Sequence, residues 1–508
     1  MRTEKAFKNI IIALSGQIIG MILSFFTRSI FIKQMTEELL GVNSVFANLL
    51  SILSLAEMGI GSAITFSLYE PLAKKNTKKV AAIMNFYKFV YRIVALIVIF
   101  FGISIVPFLR FIIKEEISNL YLYYMLYLIS TIISYLCAYK RTLLIADQNS
   151  YISSLYHNAY IILLNIFQIN ILIYTRSYFL FLIIQIILSF LENLLISWIA
   201  DKKYPYIVNN KESLENSDKK NIFKNVKALM MHRVGSIVVT NTNVILLSSI
   251  VSIKAAAIYA NYRLIFSGLT IVLTQIYSNL TASVGNLLVN NQKEYSYKIY
   301  KATIFVAIWL YGGISICLYT LLNDFIKIWI GNRFIETKVY IFILTIHFFL
   351  MGIREPTNIF KNAYGLFWND RYKALIEAIV NIIFSILFGI KFGAVGIFGA
   401  TLLTTLTIPF IIEPYVLYKY YWNKPLGCYI KIIIRYFFII FVVGLILNII
   451  SNYIIVTGWF SFIVKGIIIF LLTNLLIYIF VYKKAEFELV REKIKVIVNK
   501  KILKRNSE

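Results

Sequence analysis

The chain has 508 residues, is 59% apolar and carries a formal net charge of +27. Soluble domains average about 45–50% apolar, and long apolar runs fill most of this chain, so a soluble globular protein is excluded and a membrane protein is expected. In a soluble protein the charge would point to nucleic acid; here it falls in the loops between apolar runs, and no nucleic-acid partner is expected.

Roughly 20 residues of helix cross a bilayer core. About fourteen spans are predicted, near 9–32, 42–69, 86–108, 119–139, 151–174, 177–200, 226–251, 257–283, 299–321, 338–360, 373–390, 394–418, 430–451 and 458–482. With the N-terminus in the cytoplasm, the inner loops collect cations such as Lys74, Lys75, Lys140, Lys202, Lys203, Lys219, Lys361 and Lys373, and the tail adds Lys483, Lys484 and Arg491. The outer loops hold only scattered ones such as Lys33, Lys114 and Arg176. That asymmetry places both termini in the cytoplasm of a multi-pass cell-membrane protein.

In chain order, the first span lacks a small-residue cleavage site and contains Arg28, so it reads as a retained helix. Gln17, Ser24 and Arg28 share one face of it. In the second span Glu57 is bounded by apolar helix, a position suited to an ion pair or to carrying a proton. Ser51, Leu53, Ile60, Ser62, Thr65 and Ser67 recur at an offset of 216 as Ser267, Leu269, Ile276, Ser278, Thr281 and Ser283. A second match, Gln148-Asn149-Ser150-Tyr151 against Asn369-Asp370-Arg371-Tyr372, has an offset of 221. Six crossings per unit give both copies the same orientation, as in a parallel repeat.

The expected fold class is therefore an all-α polytopic membrane protein with two parallel-repeat six-helix bundles. Residues 1–200 form the N-terminal bundle, 201–225 a cytoplasmic linker, 226–418 the C-terminal bundle, 419–482 an accessory helix pair and 483–508 a basic tail. The tail places Phe487, Val490, Ile494 and Ile497 at helical spacing, which fits either an amphipathic helix on the inner membrane surface or a solvated end.

Span seven carries a polar stripe of Arg233, Ser236, Thr240 and Asn243. Span eight carries Arg263, Ser267, Thr270, Thr274 and Ser278 at steps of three or four, one narrow helical face. A charge at mid-depth costs about 2.5–3.5 kcal/mol on insertion scales, so these arginines either line a cavity, pair with an acid or snorkel. The hydroxyls either line water or bond their own carbonyls in tight packing. Arg92, one turn from Lys88, is expected to snorkel. In span ten, Arg354-Glu355-Pro356 reads as a helix break beside a cavity, and Glu377 in span eleven is a further coupling or ion-pair candidate. The three cysteines and three histidines are scattered without metal-ligand spacing, and no metal or cofactor is expected. No phosphate loop, nucleotide fingerprint or nucleophile elbow occurs, which argues for a transporter and against an enzyme.

Four stretches resemble the bacterial polysaccharide repeat-unit flippases of the multidrug/oligosaccharidyl-lipid/polysaccharide exporter superfamily. They are Ser15-Gly16-Gln17, Leu40-Gly41-Val42-Asn43, the run from Ser54-Leu55-Ala56-Glu57 through Gly61-Ser62-Ala63, and Ala363-Tyr364-Gly365-Leu366-Phe367-Trp368-Asn369-Asp370-Arg371-Tyr372. The resemblance implies two bundles around a cationic central cavity that opens alternately to each side. It implies a polyprenyl-pyrophosphate oligosaccharide as substrate, with a glycan polymerase, glycosyltransferases and membrane lipids as partners. Arg28 and Arg263 sit where such proteins place arginines for the pyrophosphate. An arginine early in span two, present in lipid II flippases, is missing here, and Arg233 is the candidate replacement. Spans thirteen and fourteen are candidates to border an apolar groove for the prenyl tail. The alternative is a small-molecule or drug antiporter of the same superfamily. A twelve-span facilitator is disfavoured because the loop Glu70-Pro71-Leu72-Ala73-Lys74-Lys75-Asn76 lacks the Gly-x-x-x-Asp-Arg pattern.

Overall fold

The computed structural model describes residues 2–57, 60–208, 210, 212–278, 284, 293–366 and 369–492. The predicted spans fall largely on helix over their described residues, and among the described residues ten helices are long and apolar enough to cross a membrane. A bent helix, Leu120–Ala146, is an eleventh candidate. The chain is an all-helical, multi-pass membrane protein. Contacts divide it into two compact units, Met1–Tyr262 and Arg263–Glu508.

In the first unit the helix Arg2–Gln34 packs along Ser150–Tyr174, and Leu120–Ala146 packs against Tyr178–Lys203. Gly16 makes the first contact close, since a Cβ there would fall 1.7 Å from the Asn158 amide. The second span is interrupted. Glu37–Leu53 is capped by Thr36, whose Oγ1 accepts the Leu39 amide at 3.3 Å, and gives way to a 3₁₀ turn at Ser54–Glu57 before Ile60–Ala73. The break falls inside the repeated stretch. Its counterpart in span eight is continuous helix, Ile253–Ser278, and residues 279–283 lie outside the described ones. The helix Asn216–Leu246 packs on both halves of the broken span.

The second unit is built on two long antiparallel helices, Lys293–Ile330 and Lys338–Ala363. Thr337 caps the second through the Tyr340 amide. Contrary to the expected break, this helix runs unbroken through Arg354-Glu355-Pro356. Proline forfeits one backbone hydrogen bond. Packing around it supports the continuous helix: Ile353 and Thr357 are buried, and Thr357 shares a 2.9 Å hydrogen bond with the Tyr300 hydroxyl.

Spans eleven and twelve form a hairpin inside Lys373–Thr407, reversed at Gly393, whose φ of +61° and ψ of −140° are open essentially to glycine alone. Across it Asn381 donates to Thr401 and Thr404, both at 3.1 Å. The accessory pair, Gly427–Tyr453 and Trp459–Val481, packs on Lys293–Ile330. Lys465 pairs with Asp324 at 2.8 Å, and Trp309 donates to Asn474 at 3.0 Å. Residues 485–492 are helical, with Phe487 seated against Trp309 and Tyr478; the tail beyond 492 lies outside the described residues.

Candidate functional site

In the first unit, Arg28 lies half-buried near the C-terminal end of Arg2–Gln34, on the face that also holds exposed Gln17 and half-buried Ser24. Thr27, one residue before it, is tied to Asn165 by a 2.6 Å hydrogen bond. Around Arg28 lies a tyrosine layer in which Tyr127 and Tyr178 both donate to Asn43, the latter at 3.4 Å. Among the described residues Arg28 has neither an ion-pair partner nor a hydrogen bond, and its polar neighbour is Tyr127. A guanidinium in this position is a fixed charge with its donors uncommitted.

Glu57 sits on the 3₁₀ turn of span two. It accepts a hydrogen bond from Tyr91, which accepts one from Tyr87 at 3.1 Å; Tyr87 in turn shares a 3.1 Å bond with Thr142. The acid thus ends a chain of hydroxyls buried within the unit. Arg233 and Ser236 are on helix, but their side chains lie outside the described residues. Thr240 on that stripe is exposed and Asn243 is buried. Arg92 and Lys88 are both exposed. Glu192 accepts from Arg141 at 2.6 Å and lies 3.2 Å from Nδ1 of the exposed His157, so the ring borders a buried carboxylate that is already paired.

In the second unit, Arg263 is half-buried at the head of the span-eight stripe. Ser267 and Thr270 are exposed and Thr274 is half-buried, whereas Leu273 is buried. Their hydroxyls donate to their own helix: Ser267 to Leu264 at 3.0 Å, Thr270 to Phe266 at 2.8 Å and Thr274 to the Thr270 carbonyl at 2.8 Å. The hydroxyl protons are spent on backbone, and the oxygens keep lone pairs facing outward. Ser278 has its side chain outside the described residues.

The strongest charge cluster of this unit was not legible in the sequence. Arg354 grips Glu413 with two donors, Nε at 3.0 Å and Nη2 at 2.8 Å, and Lys373 also donates to Glu413. Lys373 lies 3.9 Å from Asp370, which is paired with Lys361. Glu413 is 1% exposed and Asp370 0%. Lys361 and Lys373, expected as inner-loop cations, are therefore buried partners in a network of three cations and two carboxylates. Glu355 and Glu377 lie half-buried alongside Arg354, and neither forms an ion pair among the described residues. The contrast between the arginines is chemical: Arg354 is neutralised by a bidentate carboxylate, and Arg28 is not.

No protein-family model matches the sequence, and no curated protein is significantly similar to it. Solved structures do match. One is a multidrug resistance MATE family transporter of the MOP superfamily in an inward-facing conformation, with TM-score 0.66 and 11% identity over 80% of this chain and 97% of that one. Another is the lipid II flippase MurJ in an inward closed conformation, with TM-score 0.61 and 18% identity over 93% of this chain and 100% of that one. A third is the Vibrio cholerae MATE transporter VcmN in the bent form, at 0.53 and 12% over 82% and 98%. The chain has the fold of these transporters. At such identities the likeness fixes the course of the helices; the substrate has to be argued from this chain's own side chains.

Proposed function

We propose that the protein flips polyprenyl-pyrophosphate-linked oligosaccharide repeat units from the cytoplasmic to the outer leaflet for cell-surface polysaccharide assembly, by alternating access. The observation that carries this reading is Arg28, an intramembrane guanidinium without a carboxylate partner among the described residues. A pyrophosphate cannot enter hydrocarbon without a counter-charge, and a guanidinium fork binds phosphate oxygens in pairs and stays ionised at every relevant pH. Arg263 and Arg233 are the further phosphate-binding candidates, with Gln17 and Asn243 beside them. Ser267, Thr270, Thr274 and Ser278 suit the glycan. Where their protons are held by backbone carbonyls, the outward lone pairs accept hydrogen bonds from sugar hydroxyls. Support also comes from a fold shared with a lipid II flippase over nearly the whole chain. In this reading both termini are cytoplasmic, and a glycan polymerase and glycosyltransferases are the partners.

A drug antiporter is the second reading, favoured by the half-buried carboxyls of Glu355 and Glu377, which suit a cationic cargo. Complementation separates the two. In a strain lacking its repeat-unit flippase, the wild-type chain restores surface polysaccharide and Arg28→Ala does not, at equal membrane abundance. Glu355→Gln and Glu377→Gln leave that restoration intact. Resistance to cationic drugs that is lost in the glutamine variants, without any polysaccharide phenotype, establishes the antiporter instead.

A further inference from the structure

Away from these polar stripes, the second unit carries a cleft open on one side, with a cavity volume of about 130 Å³. Its walls come from Lys293–Ile330, Lys338–Ala363 and Gly427–Tyr453, through Tyr319, Phe342, Phe349, Phe437, Phe441 and Leu445. Four of these, Phe342, Phe437, Phe441 and Leu445, are more than a third exposed, so an apolar surface continues from the cleft outward. One lining residue does not match the rest. Asn448 is half-buried and makes no hydrogen bond among the described residues, so its amide is available to a polar group entering the cleft.

Asn448 is five residues from the end of its helix at Tyr453, roughly 8 Å at 1.5 Å per residue. One turn further, Asn452 accepts a hydrogen bond at 3.3 Å from the exposed Lys338 ammonium. The cleft therefore runs from aromatic walls to an amide at Asn448, and beyond its lining the same helix face continues, one turn on, to the Asn452 amide and the Lys338 cation. Phe437 to Asn448 spans eleven residues, about 16 Å, close to half of a roughly 30 Å hydrocarbon core. That is the profile of one lipid of one leaflet, from chain through ester level to phosphate.

We propose that this cleft is a binding site for a single anionic phospholipid, one acyl chain lying between Phe342 and Phe441, the ester level at Asn448 and the phosphate at Lys338 and Asn452. The length decides the occupant. A polyprenyl tail is several times longer than a leaflet is deep and would overrun the cleft. The site is independent of the transport reading, because it needs neither Arg28 nor the hydroxyl stripe.

The test is lipid retention. The full chain is exchanged into vesicles of equal phosphatidylglycerol and phosphatidylethanolamine, repurified with extensive detergent washing, and its lipid measured by mass spectrometry. The wild type retains close to one phosphatidylglycerol per chain. It prefers that lipid over phosphatidylethanolamine by about fivefold, the worth of one lysine near an anionic surface. Gly444→Phe, whose Cβ meets Ile316 at an ordinary 3.7 Å, fills the cleft and loses the lipid. Lys338→Gln, at an exposed position, keeps a lipid but loses the preference. Equal retention in wild type and Gly444→Phe overturns the proposal. So does a wild type without headgroup preference, or a polyprenyl phosphate that displaces the phospholipid.

Discussion

Glu413 is the residue whose loss the second unit should tolerate least. It accepts Arg354 at 2.8 and 3.0 Å together with Lys373, at 1% exposure. In Glu413→Gln two buried cations face a neutral amide, and breaking a buried pair from one side costs about 3–5 kcal/mol, mostly as the penalty of the charge left behind. At roughly 2–4 °C per kcal/mol for a unit of this size, the thermal midpoint falls by about 6–20 °C. The double variant Arg354→Met, Glu413→Leu removes both charges and leaves Lys373 with Asp370 at 3.9 Å, so it is expected to be more stable than Glu413→Gln alone. Thermal unfolding of the purified protein in detergent, followed by tryptophan fluorescence, reads both. A Glu413→Gln midpoint within about 2 °C of wild type, or a double variant less stable than the single one, would show that the buried charge network does not hold the second unit together.

Gly393→Ala should lower stability by about 1–3 kcal/mol, because its backbone occupies a region open essentially to glycine. Gly399→Ala, where an added Cβ meets nothing within 4 Å, is the control, and equal midpoints for the two would remove the hairpin argument. Cysteines at Ser267, Thr270 and Thr274 should react with a small water-soluble thiol reagent and one at buried Leu273 should not; uniform protection in an active protein would assign the stripe to packing. A cysteine at exposed Glu212 should be labelled by an impermeant reagent only after the cells are opened, and labelling of intact cells would invert the topology.

Membrane class and helix course were legible because both depend on local composition: apolar runs of sufficient length, divided by basic loops, leave the backbone no alternative to helix. The hairpin at Gly393 was half legible, as two spans with almost nothing between them; that one glycine makes the turn needed the backbone. The span-eight stripe was legible as a period. The structure adds that the three described hydroxyls bond carbonyls of their own helix and that Ser267 and Thr270 are exposed.

The charge network was hidden because its partners are 59 and 40 residues apart. Lys361 and Lys373 read as loop cations for the same reason: a lysine at a span end looks alike whether it snorkels or is buried against a carboxylate. Arg354-Glu355-Pro356 misled by local logic alone, which registers the lost backbone bond and not the packing of Ile353 and Thr357 that keeps the helix intact. For Arg28 the sequence left open whether the charge is paired, and the structure supplies the distinction from Arg354.

The most direct test of the central claim is translocation in proteoliposomes. Purified protein is reconstituted with a fluorescent polyprenyl-pyrophosphate oligosaccharide, and the fraction reaching the opposite leaflet is read by an impermeant glycan-modifying enzyme. The account predicts translocation by the wild type, its loss in Arg28→Ala, and partial recovery in Arg28→Lys, which restores the charge without the fork. Arg28→Ala translocating at the wild-type rate would contradict it.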